Sequence, residues 1–176
     1  MHMIRPIIMS HSVSWYTVIP SLLFAGKHPI ILQNEGNDNR CLDFPPKIKR
    51  WISLIETHPE SAMQLAEYKT ESVELIHIPI ADFSIPTKEQ MDQALAFIDD
   101  SMQTFKPLYI SCAQGLGRTG TIISCFLAKQ YCISGDSAMN VLTQLRNDAA
   151  FQVDSYSPET EEQCNFVISM FPGISS

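Results

Sequence analysis

Apolar and polar positions along the chain lay out strands first, then strands and helices in alternation, then helices alone. Two aromatic and β-branched runs, WYTVI (15–19) and LLFAG (22–26), are split by Pro20-Ser21 and predict a strand pair around a turn. From Lys27 to Pro46 the chain is polar and punctuated, with QNEGNDNR followed by Pro45-Pro46, which predicts a long surface loop with at most a short helix. WISLIE (51–56) reads as a buried strand, ESAMQLAEY (60–68) as a helical turn or two, and VELIHIPI (73–80) as a second core strand ended at Pro79. Thr87 and Gln90 have the spacing of a capping box, and Met91, Ala94, Leu95, Ile98 and Met102 follow on one helical face. PLYIS (107–111) is a third core strand.

The run from Thr119 to Ala128 is apolar almost all round, the pattern of a helix buried at the centre of a domain. Asp136 is placed to cap a further helix with the stripe Ala138, Val141, Leu142 and Leu145. Ser157-Pro158, with Pro at the first helical position, predicts a last helix carrying Phe166, Val167, Met170 and Phe171. The alternation predicts an α/β fold with a single central, mostly parallel sheet flanked by helices.

Composition narrows the classes without choosing among them. At 176 residues the chain suits one domain with a full core, and 45% hydrophobic with 18% charged residues is the balance of a soluble globular protein. The charge, 12 basic against 19 acidic residues for a net −7, argues against nucleic acid or an anionic membrane as partner. No run approaches the roughly 18 apolar residues of a spanning helix, and MHMIRPIIMS lacks the pattern of a secretory signal. The five cysteines contain no C-x-x-C and the five histidines show no metal spacing, so we expect reduced thiols, no metal and no cofactor in a cytoplasmic monomer.

The stretch YISCAQGLGRTGTIIS (109–124) carries the chemistry, and it can be read in two ways. Gly115, Gly117 and Gly120 spell G-x-G-x-x-G, the dinucleotide-binding fingerprint. That fold needs a second strand ending in an acidic residue about 20 residues further on. Asp136 stands near that distance but precedes a helical stripe, with no strand between, and more than one strand comes before the glycines instead of after them. The same stretch places Cys112 and Arg118 at the ends of a C-x5-R loop between a strand and a helix N-terminus. Such a loop can turn the N–H groups of Ala113, Gln114, Gly115, Leu116 and Gly117 inward around a tetrahedral anion. Arg118 can add a bidentate fork, and the positive surroundings favour the thiolate of Cys112. Thr119 offers a hydroxyl to the sulfur as it leaves.

SCAQGLGRTG resembles the signature of the cysteine-based protein tyrosine phosphatases, H-C-x5-R-[ST], and with the following apolar helix it is most similar to the small dual-specificity phosphatases. WYTVIPSLLFAG is similar to the family's opening strand pair. PIADFSIPTKEQMDQALAFID is similar to its general-acid loop and the helix behind it, and LRNDAAFQVDSYSPETEEQ to the approach to its C-terminal helix. The resemblance implies a catalytic domain over residues 15–172, with 1–14 as an N-terminal extension, although residues 27–72 match poorly. It implies hydrolysis of phosphotyrosine, and of phosphoserine or phosphothreonine, in a phosphorylated protein substrate. Cys112 would attack phosphorus, Asp82 would protonate the leaving oxygen and then activate water, and Arg118 with the loop amides would bind the phosphoryl oxygens. Gln163 could help position the water, as a glutamine does in some relatives, or serve as a structural rim.

Two departures bear on these expectations. Ser111 stands where the family has His, which lowers the expected activation of Cys112 and leaves room for a phosphate-binding module with little turnover. The loop interior has no Lys, which counts against lipid or polyphosphate substrates, RNA 5′ ends and nucleotides being the other rivals of the same fold. Glu89 reads as a first-turn charge, Cys125 and Cys132 as packing, and Glu159, Glu161 and Glu162 as a solvated first helical turn.

Overall fold

The computed structural model describes residues 13–29, 31–33, 40–42, 45–57 and 73–173. The helix expected over 60–68 and all but the last two residues of the N-terminal extension lie outside them.

The opening runs form a hairpin, β1 (Trp15–Ile19) and β2 (Leu23–Lys27), paired antiparallel around Pro20-Ser21. Ser21 takes φ 64 at the turn. The polar segment after β2 departs from the loop that its composition predicts. Ile31–Gln33 (β3) and Arg40–Leu42 (β4) pair antiparallel as a separate two-stranded sheet. Strands of three residues are too short to establish a period, and the turn-forming residues between them dominate the local composition.

Three more strands, β5 (Arg50–Ser53), β6 (Glu74–His77) and β7 (Leu108–Cys112), join the hairpin in a five-stranded sheet with the order β1-β2-β7-β5-β6. All its pairs are parallel except β1/β2. The expected mostly parallel sheet is therefore present.

Strand β7 sits at the centre because both of its faces are apolar. Leu108, Ile110 and Cys112 share one core cluster with Leu23 and Ala25 of β2, while Tyr109 joins Phe24, Ile48 and Trp51 in another. That two-residue alternation divides the sheet between its two faces. The helical face is covered by α1 (Lys88–Gln103), α2 (Gly117–Tyr131), α3 (Gly135–Asp148) and α4 (Glu161–Met170). Helix α2 is buried at every position from Gly117 to Ala128 and touches β7 and the other three helices, as its continuous apolar run predicts. Among the described residues no helix is long and apolar enough to cross a membrane.

Helix starts are where the sequence reading needs correction. Thr87 and Gln90 form the expected capping box. Asp136, however, lies in the first turn of α3, and the cap is Ser134, whose hydroxyl accepts from the Ser137 N–H. The last helix opens at Glu161, not at Pro158, with Thr160 and Gln163 as its capping box. A hydroxyl at the right reach from an N2 or N3 amide outweighs the preference for Pro at the first position.

The glycine at the end of β2 is sterically required. A Cβ on Gly26 would stand 2.3 Å from the Ser14 carbonyl oxygen and 2.6 Å from Trp15 Cα, both backbone atoms that cannot rotate away. Gly26→Ala is expected to lower stability by about 3 kcal/mol through overpacking, measured as a fall in Tm against wild type.

Candidate active site

Strand β7 delivers Cys112 to the C-terminal edge of the sheet, where its side chain is buried. The chain then turns through residues 113–116 and enters α2 at Gly117. Gly115 makes the turn possible with φ +73, lying so close to β2 that a Cβ on it would be 2.3 Å from the Gly26 carbonyl carbon. Leu116, at the cap position, supplies no side-chain hydrogen bond to the helix. The Gly117 N–H instead donates to Glu159 Oε2 at 2.9 Å.

Three carbonyls of the loop are held from outside. The His28 backbone N–H donates to Ala113 O at 3.3 Å, Gln152 Nε2 to Gln114 O at 2.7 Å, and Ser157 Oγ to Leu116 O at 2.8 Å. Ala113 and Gln114 are exposed, whereas Gly115 to Thr119 are buried.

Arg118 is only 4% exposed, and its guanidinium points back over the strand ends. Nη1 donates to the Ile80 carbonyl at 2.9 Å, and Nη2 pairs with Asp82 Oδ1 at 2.7 Å. The structure thus brings Asp82 to the loop that begins at Cys112, although 30 residues separate the two in the chain (112 − 82). Asp82 sits in a turn closed by Ser84 N–H on Ala81 O, with Phe83 at φ 59. That angle lets the Phe83 N–H donate to Asp82 Oδ1 at 3.1 Å. Phe83 leaves its ring 58% exposed on the same turn.

Thr119 Oγ1 is buried and finds no partner among the described residues. Gln163 is fully buried, and both ends of its amide are engaged. Oε1 accepts from the Glu159 and Thr160 N–H groups, and Nε2 donates to Ser84 O at 3.1 Å, tying the Asp82 turn to α4. Ser111, in the place of the family's His, accepts from the Trp51 indole N–H at 2.9 Å in a buried contact. The His28 ring packs tilted against that of Trp51 with centroids 5.4 Å apart, and burial holds its imidazole below the usual range.

Several of these groups carry no sequence signal. No spacing marks Gln152 or Ser157 as a partner of the loop, or Trp51 as a partner of Ser111, and these contacts form only through the tertiary fold. Glu159 departs from the solvated helical turn that its neighbours Glu161 and Glu162 predict: it precedes the helix, and its carboxylate accepts from the loop. Its place just before the Thr160–Gln163 capping box is the sequence signal that sets it outside the helix. Glu161 and Glu162 do lie in the first turn. Among the described residues no cluster of three or more His, Cys, Asp or Glu could hold a metal ion.

A family model described as a polymorphic toxin system DSP-PTPase phosphatase matches residues 45–131. An uncharacterized protein of Methanocaldococcus jannaschii, MJ0215, is 30% identical over 125 residues, which cover 69% of this chain and 70% of the relative. Among solved structures, a mutant form of Tk-PTP superposes with a TM-score of 0.65 at 20% identity, over 89% of this chain and 93% of that one. PTPMT1 in complex with PI(5)P gives 0.65 at 15% identity, over 89% and 94%. At these identities the two structures show a shared fold.

The cysteine of α2, Cys125, is set apart from Cys112 by its surroundings. Burial pushes the Cys125 thiol up to about 12, so at pH 8 only about one molecule in ten thousand carries its thiolate. Iodoacetamide at that pH is expected to spare Cys125 in the native protein and to label it in denaturant, as peptide mass mapping would record.

Proposed function

The chain belongs to the cysteine-based protein tyrosine phosphatase superfamily, in its small dual-specificity branch, and on that footing we propose that it hydrolyses phosphotyrosine, with phosphoserine and phosphothreonine, in phosphoproteins through a phosphocysteine on Cys112. As a phosphatase of this fold it acts on phosphorylated substrates. The observation that carries the finer reading is the contact between Asp82 and Arg118 at 2.7 Å, which sets an acid, a guanidinium and a thiol around one loop.

In the first step the Cys112 thiolate attacks phosphorus, an S–P bond forms, and the P–O bond to the leaving group breaks. Asp82, which leaves Arg118 as the phosphoryl group binds and takes up a proton from solvent, passes that proton to the departing oxygen. Arg118 exchanges the Asp82 carboxylate for two phosphoryl oxygens, and the loop amides hold the charge that accumulates on the equatorial oxygens. In the second step water attacks phosphorus as its proton passes to Asp82, and the S–P bond breaks. The buried Thr119 hydroxyl, with no partner among the described residues, is available to donate to the leaving sulfur.

Gln163 serves the water step by fixing the Asp82 turn through Ser84. Glu159 accepts from the Gly117 N–H and, with Gln152 and Ser157, borders the loop from the other side. Ser111 contributes no charge, and its bond to Trp51 holds the strand end that carries Cys112.

The likeness to PTPMT1 bound to PI(5)P favours a second reading, a lipid phosphate substrate. A headgroup with a further phosphate needs basic partners in the loop, and residues 113–117 supply none. The exposed ring of Phe83 beside Asp82 offers an apolar wall suited to an aryl group.

Hydrolysis of an aryl phosphate in reductant and chelator tests the mechanism. Turnover is expected to vanish with Cys112→Ser and to fall about 10²- to 10⁴-fold in kcat with Asp82→Ala. No turnover by folded wild type would move the protein to the class of phosphate-binding modules. Faster release from phosphoinositide vesicles than from phosphotyrosine peptides would overturn the protein-substrate reading. Phe83→Gly suits the turn's positive φ and removes the ring. It is expected to raise KM for phosphotyrosine peptides several-fold more than for phosphoserine peptides.

A further inference from the structure

We propose that Gln152 is a positioning residue for the catalytic loop, whose side-chain amide turns the peptide between Gln114 and Gly115 so that the Gly115 N–H faces the bound phosphoryl group. The proposal rests on the phosphatase reading above. A trans peptide is planar, with its C=O and the following N–H pointing in opposite directions. Whatever holds the Gln114 carbonyl outside the loop therefore aims the Gly115 N–H inside it. Gln152 Nε2 provides that hold at 2.7 Å. By the same geometry the His28 N–H, on Ala113 O, aims the N–H of Gln114, whereas the Gly117 N–H, next to the Leu116 carbonyl that Ser157 holds, is already taken by Glu159.

Gln152 is distinguished from these by the backbone strain at its position. It adopts φ 45, and Ala150 two residues earlier adopts φ 53, both in the left-handed region without being glycine. Residues with a Cβ give up about 1–2 kcal/mol there, and they stay only where their surroundings fix them. The surroundings do so here. Phe151, between the two, is fully buried with its ring 5.0 Å from that of Tyr16. The buried Arg146 donates from Nη2 to the Gln152 carbonyl at 2.7 Å and to the Ser155 carbonyl at 2.9 Å. Glycine would fit position 152 without strain. What glutamine adds is a side chain that reaches the catalytic loop, 38 residues away in the chain.

Two variants separate this role from a contribution to stability. Gln152→Gly relaxes the backbone and removes the donor, while Gln152→Met keeps the length and the strain and removes only the donor. The readouts are kcat/KM on an aryl phosphate, Ki for orthovanadate, Tm, and the amide resonance of Gly115 by NMR. Both variants are expected to lose about threefold to tenfold in kcat/KM, the equivalent of one neutral hydrogen bond. Vanadate should weaken by a similar factor and the Gly115 resonance should shift, while the Tm of Gln152→Gly stays at or above wild type. Unchanged kinetics and inhibitor affinity in both variants, or activity that simply follows Tm, overturns the proposal. Should the wild type release no phosphate, the phosphatase reading fails on its own. The Gly115 resonance then decides the positioning role, and an amide unmoved in both variants sinks it.

Discussion

The site depends on how closely the loop after β7 lies against β2. Gly115 rests on the backbone of Gly26 and Lys27, with its Cβ position 2.3 Å from one and 2.7 Å from the other. Gly26 in turn has the Tyr109 hydroxyl 2.8 Å from where its own Cβ would be. Two glycines, one at the end of β2 and one in the loop that follows its neighbour, thus let the chain fold back at the sheet edge instead of continuing past it. Cys112 can then end a central strand while Arg118, in the first turn of α2, reaches over to Ile80 and Asp82. A side chain at Gly115 would push the loop away from β2 and draw the guanidinium off its two anchors, whereas one at Gly26 would press on β1 and on Tyr109.

Burying Arg118 near an uncapped helix start creates positive potential inside an acidic chain, and the protein offsets it with its own carboxylates. Asp82 sits on the guanidinium and Glu159 on the Gly117 N–H. A buried cation without a partner would cost several kcal/mol, so these contacts stabilise the substrate-free loop. On the reading above, an arriving phosphoryl group takes over the contact with Arg118. The displaced Asp82 then stands beside the atoms it must protonate, still on a turn tied to α4 through Gln163. On that reading the ion pair that steadies the resting site also sets the proposed acid in place.

The sheet and the long helices were legible in the sequence because burial leaves a period behind. The continuous apolar run 119–128 became the central helix, and the face of Met91, Ala94, Leu95 and Ile98 became the buried side of α1. Short or punctuated elements were not legible: β3 and β4 are three residues each, and Pro158 drew the last helix three residues too early. At the site, Cys112 and Arg118 could be named because the C-x5-R spacing singles them out, and Asp82 because its stretch resembles the family's general-acid loop. Gln152, Ser157, Glu159 and Trp51 could not, because each acts through a contact between segments far apart in the chain, and local propensity holds no record of that.

The same distinction describes how the site is built. The loop from 113 to 116 has its carbonyls bound by the end of β2 and by the segment between α3 and α4, and Asp82 reaches it from the segment before α1. Its shape is imposed from outside by parts of the chain that meet only in the folded domain. The segment between α3 and α4 is itself fixed by the buried Arg146 and Phe151 beneath it. Loop geometry therefore inherits its rigidity from the core, through a strained backbone that the core holds in place. On the proposed reading the C-x5-R motif supplies the atoms that react, and the α3–α4 segment sets how firmly their loop is held.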